Sequence, residues 1–136
     1  MRAGRARGHI SLATTDYAGV KKLLAALKRG EAIGVLPDQV PSQGDGAWAD
    51  FFGRPAYTMT LIARLQQKTG AAIIFLYAQR LPWGRGYALR CLPPLAPLSE
   101  NAAQAARQIN AAVEEIVRVC PEQYLWSYNR YKGTPA

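Results

Sequence analysis

The sequence predicts an α/β domain, in which a mixed sheet is flanked by helices. Two stretches, 17–27 and 100–120, repeat apolar residues at helical spacing, whereas 32–36 and 72–79 are apolar runs of strand length. The run at 32–36 lacks polar alternation, which is typical of a central strand covered on both faces. A length of 136 residues corresponds to one domain, with residues 1–15 as a loop-like amino-terminal segment.

Composition places the chain among ordinary globular proteins. Hydrophobic residues make up 49% and charged residues 19% of the sequence, which argues against disorder. Cys91 and Cys120 lie far apart, so they indicate neither a disulfide framework nor a zinc site, and a reducing compartment fits best. No apolar run approaches the roughly 20 residues of a membrane span. The basic start is not followed by the apolar segment of a secretory signal.

The formal net charge of +8 predicts attraction to an anionic partner. Nucleic acid, phospholipid headgroups, a phosphorylated lipid and an acidic carrier protein all satisfy this condition, and charge alone does not choose among them. Basic residues are concentrated near the beginning, where Asp16 is the one acidic residue in the first 30 positions. The basic residues there are Arg2, Arg5, Arg7, Lys21, Lys22, Lys28 and Arg29.

The first predicted helix begins after Asp16, a typical N-cap residue, and ends at Gly30. Its apolar stripe consists of Tyr17, Val20, Leu23, Leu24 and Leu27. The predicted strand 32–36 follows. The segment 37–55 then reads as a loop, and its length favours a functional one.

A second helix is predicted from Tyr57 or Thr58 to Thr69, ended by Gly70. Two strand-like runs, 72–79 and 87–92, then surround the turn residues 82–86, which is typical of a hairpin.

A third helix is predicted from Glu100 to about Cys120, capped by Ser99 and ended by Pro121. Its stripe consists of Ile109, Val113, Ile116 and Val117. The tail 121–132 has four aromatic residues among polar ones. We expect it either to dock on the body of the domain or to touch a ligand.

Asp38 and Gln39 are the first candidate site residues. They directly follow the apolar run 33–36, and ligands of parallel sheets collect at the carboxyl ends of strands. An aspartate between Pro37 and Pro41 can also simply shape a turn, with its side chain bonded to nearby backbone. Both interpretations stay open from the residues alone.

Several standard active sites are excluded by the sequence. The one histidine, His9, has Asp16 as its nearest carboxylate and reads as a polar surface residue in a flexible segment. No metal-ligand cluster, nucleophile-elbow motif, Walker loop or dinucleotide fingerprint is present. The aromatic and basic tail, including Arg130 and Lys132, leaves nucleic-acid binding as an alternative.

Blocks along nearly the whole chain resemble the late acyltransferases of lipid A biosynthesis, the lauroyl and myristoyl transferases of Gram-negative bacteria. The amino-terminal and carboxyl-terminal blocks keep the order and spacing of that family. The matching residues are Gly30-Glu31, Pro37-Asp38-Gln39, Phe51-Phe52-Gly53, Pro55-Ala56, Thr58, Pro121-Glu122-Gln123-Tyr124, Trp126 and Arg130-Tyr131-Lys132.

The resemblance implies transfer of a fatty acyl group from an acyl carrier protein thioester to a hydroxyl of a phosphorylated glucosamine lipid. It implies no metal and no dissociable organic cofactor. It also implies contact with the cytoplasmic face of the bacterial inner membrane, as part of lipopolysaccharide biosynthesis. The alternative is a non-catalytic binding module for an anionic lipid or nucleic acid.

The sequence departs from the family at its general base, a histidine in a His-x4-Asp/Glu motif. His9 is followed at the required spacing by Thr14, so the motif is absent, and the chain resembles the carboxyl-terminal half of such an enzyme. The family's amino-terminal anchor would be missing as well. A half domain would expose apolar faces and self-associate.

The resemblance assigns roles residue by residue. Asp38 and Gln39 correspond to an active-site block in which Asp38 orders an arginine or the missing histidine. The segment 51–53 (Phe51, Phe52 and Gly53) would line the acyl groove. Arg5 and Arg7 would contact phosphate or the carrier protein, and Arg130 is a further substrate contact.

Overall fold

The computed structural model describes residues 10–93 and 95–133 and confirms the α/β class. The chain divides after Gly34 into two compact units. The helices are α1 (Tyr17–Lys28), α2 (Leu61–Thr69) and α3 (Ala102–Val119), and the strands are β1 (Gly46–Phe51), β2 (Arg54–Met59), β3 (Leu76–Arg80) and β4 (Tyr87–Cys91). Short 3-10 turns occupy Pro82–Gly84 and Pro121–Gln123.

The first unit contains α1, which begins as predicted. The Asp16 carboxylate accepts a hydrogen bond from the Gly19 N–H at 2.8 Å and so caps the helix. The Thr14 hydroxyl, which donates to the same carboxylate, is the main reason that the pKa of Asp16 is lowered. Gly30 follows the helix with φ of +80°, a conformation that glycine adopts without steric cost.

The predicted strand 32–36 is wrong. These residues have no regular secondary structure, and Leu36 is exposed. A strand needs a hydrogen-bonded neighbour, and none of the four strands in the described part of the chain pairs with this segment. An apolar run without a partner forms no strand.

The predicted loop 37–55 in fact contains β1, and β2 replaces the start of the predicted second helix. The two strands pair antiparallel, with Gly46 opposite Met59. Phe52 and Gly53 form the two-residue turn, and both have positive φ, 50° and 74°. Such a turn matches the twist of paired strands, although a phenylalanine seldom occupies its first position.

The sheets differ from the single mixed sheet that was expected. β3 pairs antiparallel with β4, as the predicted hairpin requires, and β1 pairs only with β2. No parallel pair occurs among the strands of residues 10–93 and 95–133. α2 ends at Gly70, which has φ of +67°, as predicted.

The long helix α3 lies at the centre of the second unit. Its carboxyl end precedes Pro121 as predicted, but Asn101 rather than Ser99 caps its start by accepting from the N–H groups of the first turn. The predicted stripe is buried apart from the half-buried Ile116. The core consists of Phe51, Ala56, Ala63, Phe75, Leu98, Ala105, Ile109, Ala112, Val113 and Val117.

Among the described residues, no helix is both long enough and apolar enough to cross a bilayer.

Candidate functional site

The turn that carries Asp38 and Gln39 is held by the carboxyl-terminal tail. The Tyr128 hydroxyl accepts a hydrogen bond from the Val40 N–H at 2.9 Å, across 88 residues of sequence. Asp38 is half-buried, whereas Gln39 is exposed. Although the strand before it is absent, the turn therefore has a fixed position in the second unit.

Asp38 lies beside the phenol of Tyr124 and near the guanidinium of Arg130. Burial and the negative charge of Asp38 raise the pKa of Tyr124 to about 12, while the positive charge of Arg130 opposes the rise. The phenol is thus a neutral hydrogen-bond donor throughout the physiological range. The structure brings a carboxylate, a phenol and a guanidinium together.

Arg130 is buried, with only 2% of its surface exposed. Its Nη1 donates to the Tyr57 carbonyl at 2.8 Å, and its Nη2 donates to Thr58 Oγ1 at 2.6 Å and to Asn110 Oδ1 at 3.2 Å. Its Nε finds no acceptor within the described residues. Burial lowers the pKa of this guanidinium, and the phenol of Tyr124 and the carboxylate of Asp38 counteract that effect.

Asn110 joins this network to β1. Its Nδ2 donates to the carbonyls of Ala49 and Asp50, at 3.3 and 3.0 Å, and its Oδ1 also accepts from Thr58. Sequence reasoning missed Asn110. The signal was its place next to Ile109 on the apolar stripe of α3, where a polar residue requires buried partners.

Aromatic side chains and Arg130 form a pocket of about 280 Å³. Phe51 and Arg130, both predicted as substrate contacts, line it together with Tyr124, Trp126, Ser127, Tyr128, Asn129 and Tyr131. The Tyr131 hydroxyl donates to the Phe51 carbonyl at 2.8 Å, which fixes the tail against the hairpin.

Two other predicted contacts, Phe52 and Gly53, do not line this pocket. The Phe52 ring packs edge-on against Phe51, with centroids 4.8 Å apart, and lies 6.1 Å from the Trp126 ring. Gly53 is exposed in the turn. Arg5, Arg7 and His9 lie outside the described residues.

Glu114 anchors the turn of this hairpin, a role that sequence reasoning missed. Its carboxylate, on a side chain only 4% exposed, accepts from the Phe52 N–H at 3.0 Å. Arg107 and Arg118 form ion pairs with it at 2.9 and 3.1 Å. Burial raises the pKa of Glu114, but these three donors outweigh burial and hold its pKa below the ordinary value.

The site therefore offers a positioned carboxylate beside an apolar, aromatic wall. Within the described residues, no group of three potential ligands among His, Cys, Asp and Glu lies where it could hold a metal ion. The arrangement can orient a partner group and accommodate a hydrocarbon chain. It contains no nucleophile next to a base among the described residues.

Comparison with known proteins gives the family. The family model described as bacterial lipid A biosynthesis acyltransferase matches residues 2–133. The chain is 32% identical over 134 residues to a lipid A biosynthesis lauroyltransferase of Escherichia coli K12, covering 97% of this chain and 43% of that protein. It is 31% identical over 120 residues to a palmitoleoyltransferase of the same organism, covering 85% and 38%. A myristoyltransferase of that organism is 28% identical over 109 residues, covering 79% and 34%.

The chain thus spans less than half the length of the curated relatives it matches. The family model nevertheless covers nearly all of it, and the matched segment includes both the Asp38 turn and the Arg130 tail. The chain belongs to the bacterial lipid A biosynthesis acyltransferase family.

Proposed function

We propose that the protein acts in lipopolysaccharide biosynthesis by transferring a fatty acyl group from an acyl carrier protein to a hydroxyl of a lipid A precursor. The observation that carries the proposal is the family match over residues 2–133. Two features support it: Tyr124 and Arg130 line an aromatic pocket, and Asp38 lies beside Tyr124.

The proposed reaction is attack of the acceptor hydroxyl oxygen on the thioester carbonyl. An ester C–O bond forms, the C–S bond breaks, and the hydroxyl proton passes through a base to the leaving thiolate. A histidine suits this step because its pKa lies near neutrality. Because His9 is followed at the family spacing by Thr14, we place the base outside these 136 residues.

In this proposal, Asp38 is the residue of the chain that serves the chemistry most directly. A carboxylate that accepts from an imidazole N–H fixes its tautomer and stabilises the imidazolium that forms. Asp38 is held in place by its turn, which the Tyr128 hydroxyl ties to the tail. Gln39, exposed beside it, is a second polar group for the same centre.

Phe51 and Phe52 would supply apolar wall for the acyl chain, with Gly53 allowing the turn between them and β2. A direct contact of Arg130 with substrate stays a prediction, because both of its Nη atoms already donate to protein oxygens. Contacts of Arg5 and Arg7 with phosphate or carrier protein also stay predictions. We place the whole enzyme at the cytoplasmic face of the inner membrane.

The test is acyl transfer from acyl carrier protein thioester to a tetra-acylated lipid A precursor. The purified chain is assayed alone and with the separately produced amino-terminal part of the E. coli lauroyltransferase. We expect no product from the chain alone and product from the mixture. Product from the chain alone that disappears with His9→Ala would contradict our placing of the base.

Matched variants then test the site itself in the active mixture. Asp38→Asn should lower kcat by at least about 100-fold, the usual scale of general acid–base assistance. Asp50→Asn removes the same charge from an exposed position on β1 and should leave kcat unchanged. Equal activity of the two variants would show that Asp38 has no part in the chemistry.

A further inference from the structure

One face of the β3–β4 hairpin is apolar and uncovered. Residues directly opposite each other in an antiparallel pair share a face, and Ala78 lies opposite Leu89 while Arg80 lies opposite Tyr87. Leu76 and Leu89 on this face are 59% and 66% exposed, and Tyr87 is 68% exposed. On the other face of the hairpin, Tyr77, Gln79 and Ala88 are half-buried and Arg90 is exposed. The hairpin therefore presents its more apolar face to the surroundings.

The tip of the same hairpin carries an isolated tryptophan. Trp83 is 93% exposed, and its backbone has φ of +60°, a conformation that residues other than glycine rarely adopt. The turn is closed by a hydrogen bond from the Leu81 N–H to the Gly86 carbonyl at 2.8 Å. Arg85 Nε adds a bond to the Pro82 carbonyl at 3.2 Å. Strain of this kind persists where the surrounding structure enforces it, which is frequent at functional sites.

The charge around this face is mostly positive, with Glu122 as a nearby acid: the Gln123 side chain accepts from the Arg80 N–H at 2.7 Å and donates to Glu122 at 3.4 Å. From Phe51 to Ser99 the sequence contains no aspartate or glutamate. The basic residues in this span are Arg54, Arg64, Lys68, Arg80, Arg85 and Arg90. Two of them, Arg80 and Arg85, are exposed at the tip beside Trp83 and Tyr87. Two exposed aromatics, exposed leucines and the two arginines at the tip form a surface that matches a boundary between anionic headgroups and hydrocarbon.

We propose that the β3–β4 hairpin is a membrane-docking element, which seats Trp83, Tyr87 and the exposed leucines in the interface of an anionic bilayer while Arg80 and Arg85 contact lipid phosphates. The excess of positive charge at the tip favours an anionic lipid surface over a second copy of the chain, because two such tips would repel each other. This inference deepens the proposed membrane contact and rests on the proposed function for its biological meaning. Vesicle binding, however, requires no acyl transfer, so each proposal can fail alone.

The test measures binding of the 136-residue chain to sedimented vesicles of phosphatidylcholine, with and without one quarter phosphatidylglycerol. We expect binding only to the anionic vesicles. Each interfacial arginine strengthens partitioning by about fivefold, so Arg80→Gln with Arg85→Gln should weaken it by about 30-fold. Arg64→Gln with Lys68→Gln removes the same charge from exposed positions on α2 and should weaken it by less than about threefold.

Quenching by brominated lipid locates the contact. Trp83→Phe should abolish most of the quenching of tryptophan fluorescence, whereas Trp48→Phe should preserve it, because Trp48 packs against Tyr57 within the domain. Absence of vesicle binding, or equal weakening by the two charge-matched double variants, would overturn the proposal. So would a dimer, seen by sedimentation, that Leu89→Lys dissociates while vesicle binding is unaffected.

Discussion

Replacing Glu114 by glutamine tests whether a buried carboxylate holds the turn of the β1–β2 hairpin. The glutamine keeps one oxygen for the Phe52 N–H but removes the charge that also binds Arg107 and Arg118. The hydrogen bond from Phe52 to a charged acceptor is worth about 1.5–3 kcal/mol, and about half of this is lost with a neutral acceptor.

The two ion pairs contribute less. The side chains of Arg107 and Arg118 are 45% and 61% exposed, so water screens both pairs and each is worth about 0–1 kcal/mol. The sum predicts that Glu114→Gln lowers the free energy of unfolding by about 1–3 kcal/mol at neutral pH. With a urea m-value of about 1–3 kcal/mol/M, the midpoint should fall by roughly 1 M.

The sign of the pH dependence follows from the lowered pKa of Glu114. A carboxylate with a depressed pKa in the folded state stabilises the fold above its unfolded pKa of about 4.3, and this stabilisation is lost as the pH falls through the folded pKa. The difference between the wild type and Glu114→Gln should therefore shrink as the pH falls below about 4.

The assay is urea unfolding followed by circular dichroism, from neutral pH down to the acid limit of folding. Glu115→Gln is the matched control, because this neighbouring side chain is exposed and carries the same charge. An equal loss in both variants would mean that net charge, rather than the anchored turn, sets the effect. A loss from Glu114→Gln that stays constant into acid would refute the charge-based reasoning.

Three further outcomes are expected. Gly53→Ala should cost about 1–2 kcal/mol of unfolding free energy, because φ is +74° there. Gly34→Ala should change the unfolding free energy by less than about 0.5 kcal/mol, because φ is not positive and an added Cβ would meet no atom within 4 Å. Urea titrations of both variants check this. Asn110→Ala should cost about 3–4 kcal/mol in the same assay, since four buried hydrogen bonds are lost, and a cost below about 1 kcal/mol would contradict the proposed network. Asp38→Asn should lower the pKa of Tyr124 from about 12 toward its ordinary value of about 10, as measured by carbon-13 NMR of labelled tyrosine. An unchanged pKa would contradict the placement of Asp38 beside Tyr124.

Periodic helices were the part of the fold that the sequence predicts best. The stripe of α3 and its end at Pro121 follow from local rules. The backbone hydrogen bonds of a helix lie within the helix, and an amphipathic helix buries a single apolar stripe. The N-cap at Asp16 and the hairpin around residues 82–86 are local for the same reason. Their hydrogen bonds close within a few residues of sequence.

Strand pairing was predicted less well because it depends on distant or unusual partners. The apolar run 32–36 resembles a central strand, yet it pairs with no described strand. The β1–β2 hairpin was overlooked because its turn is Phe52-Gly53, whereas asparagine or aspartate usually precedes the glycine. In that turn, the Glu114 carboxylate binds the Phe52 N–H from a helix 62 residues away.

In the candidate site, too, local features were predicted from the sequence and contacts between distant residues were not. The sequence singled out Asp38 and Arg130 separately, as a turn residue and as part of a basic tail. Their proximity through Tyr124 arises only when the tail folds back over the hairpin. Arg130 lines the pocket, and its guanidinium donates hydrogen bonds to Thr58 and to other neutral oxygens. This placement could not be predicted from composition.

The return of the tail to the β1–β2 hairpin also imposes a delay during synthesis, because the tail leaves the ribosome after the hairpin. Thr58 leaves the ribosome 72 residues before Arg130, its buried hydrogen-bond partner. At roughly 5–20 residues per second, the interval is about 4–14 s, far longer than the microseconds in which a hairpin forms. For most of that interval, until α3 has been synthesised, the inner face of the hairpin, including Phe51, has neither α3 nor the tail over it. Slow elongation through α3 would prolong that exposure, and a chaperone that binds aromatic strands would have time to reach it.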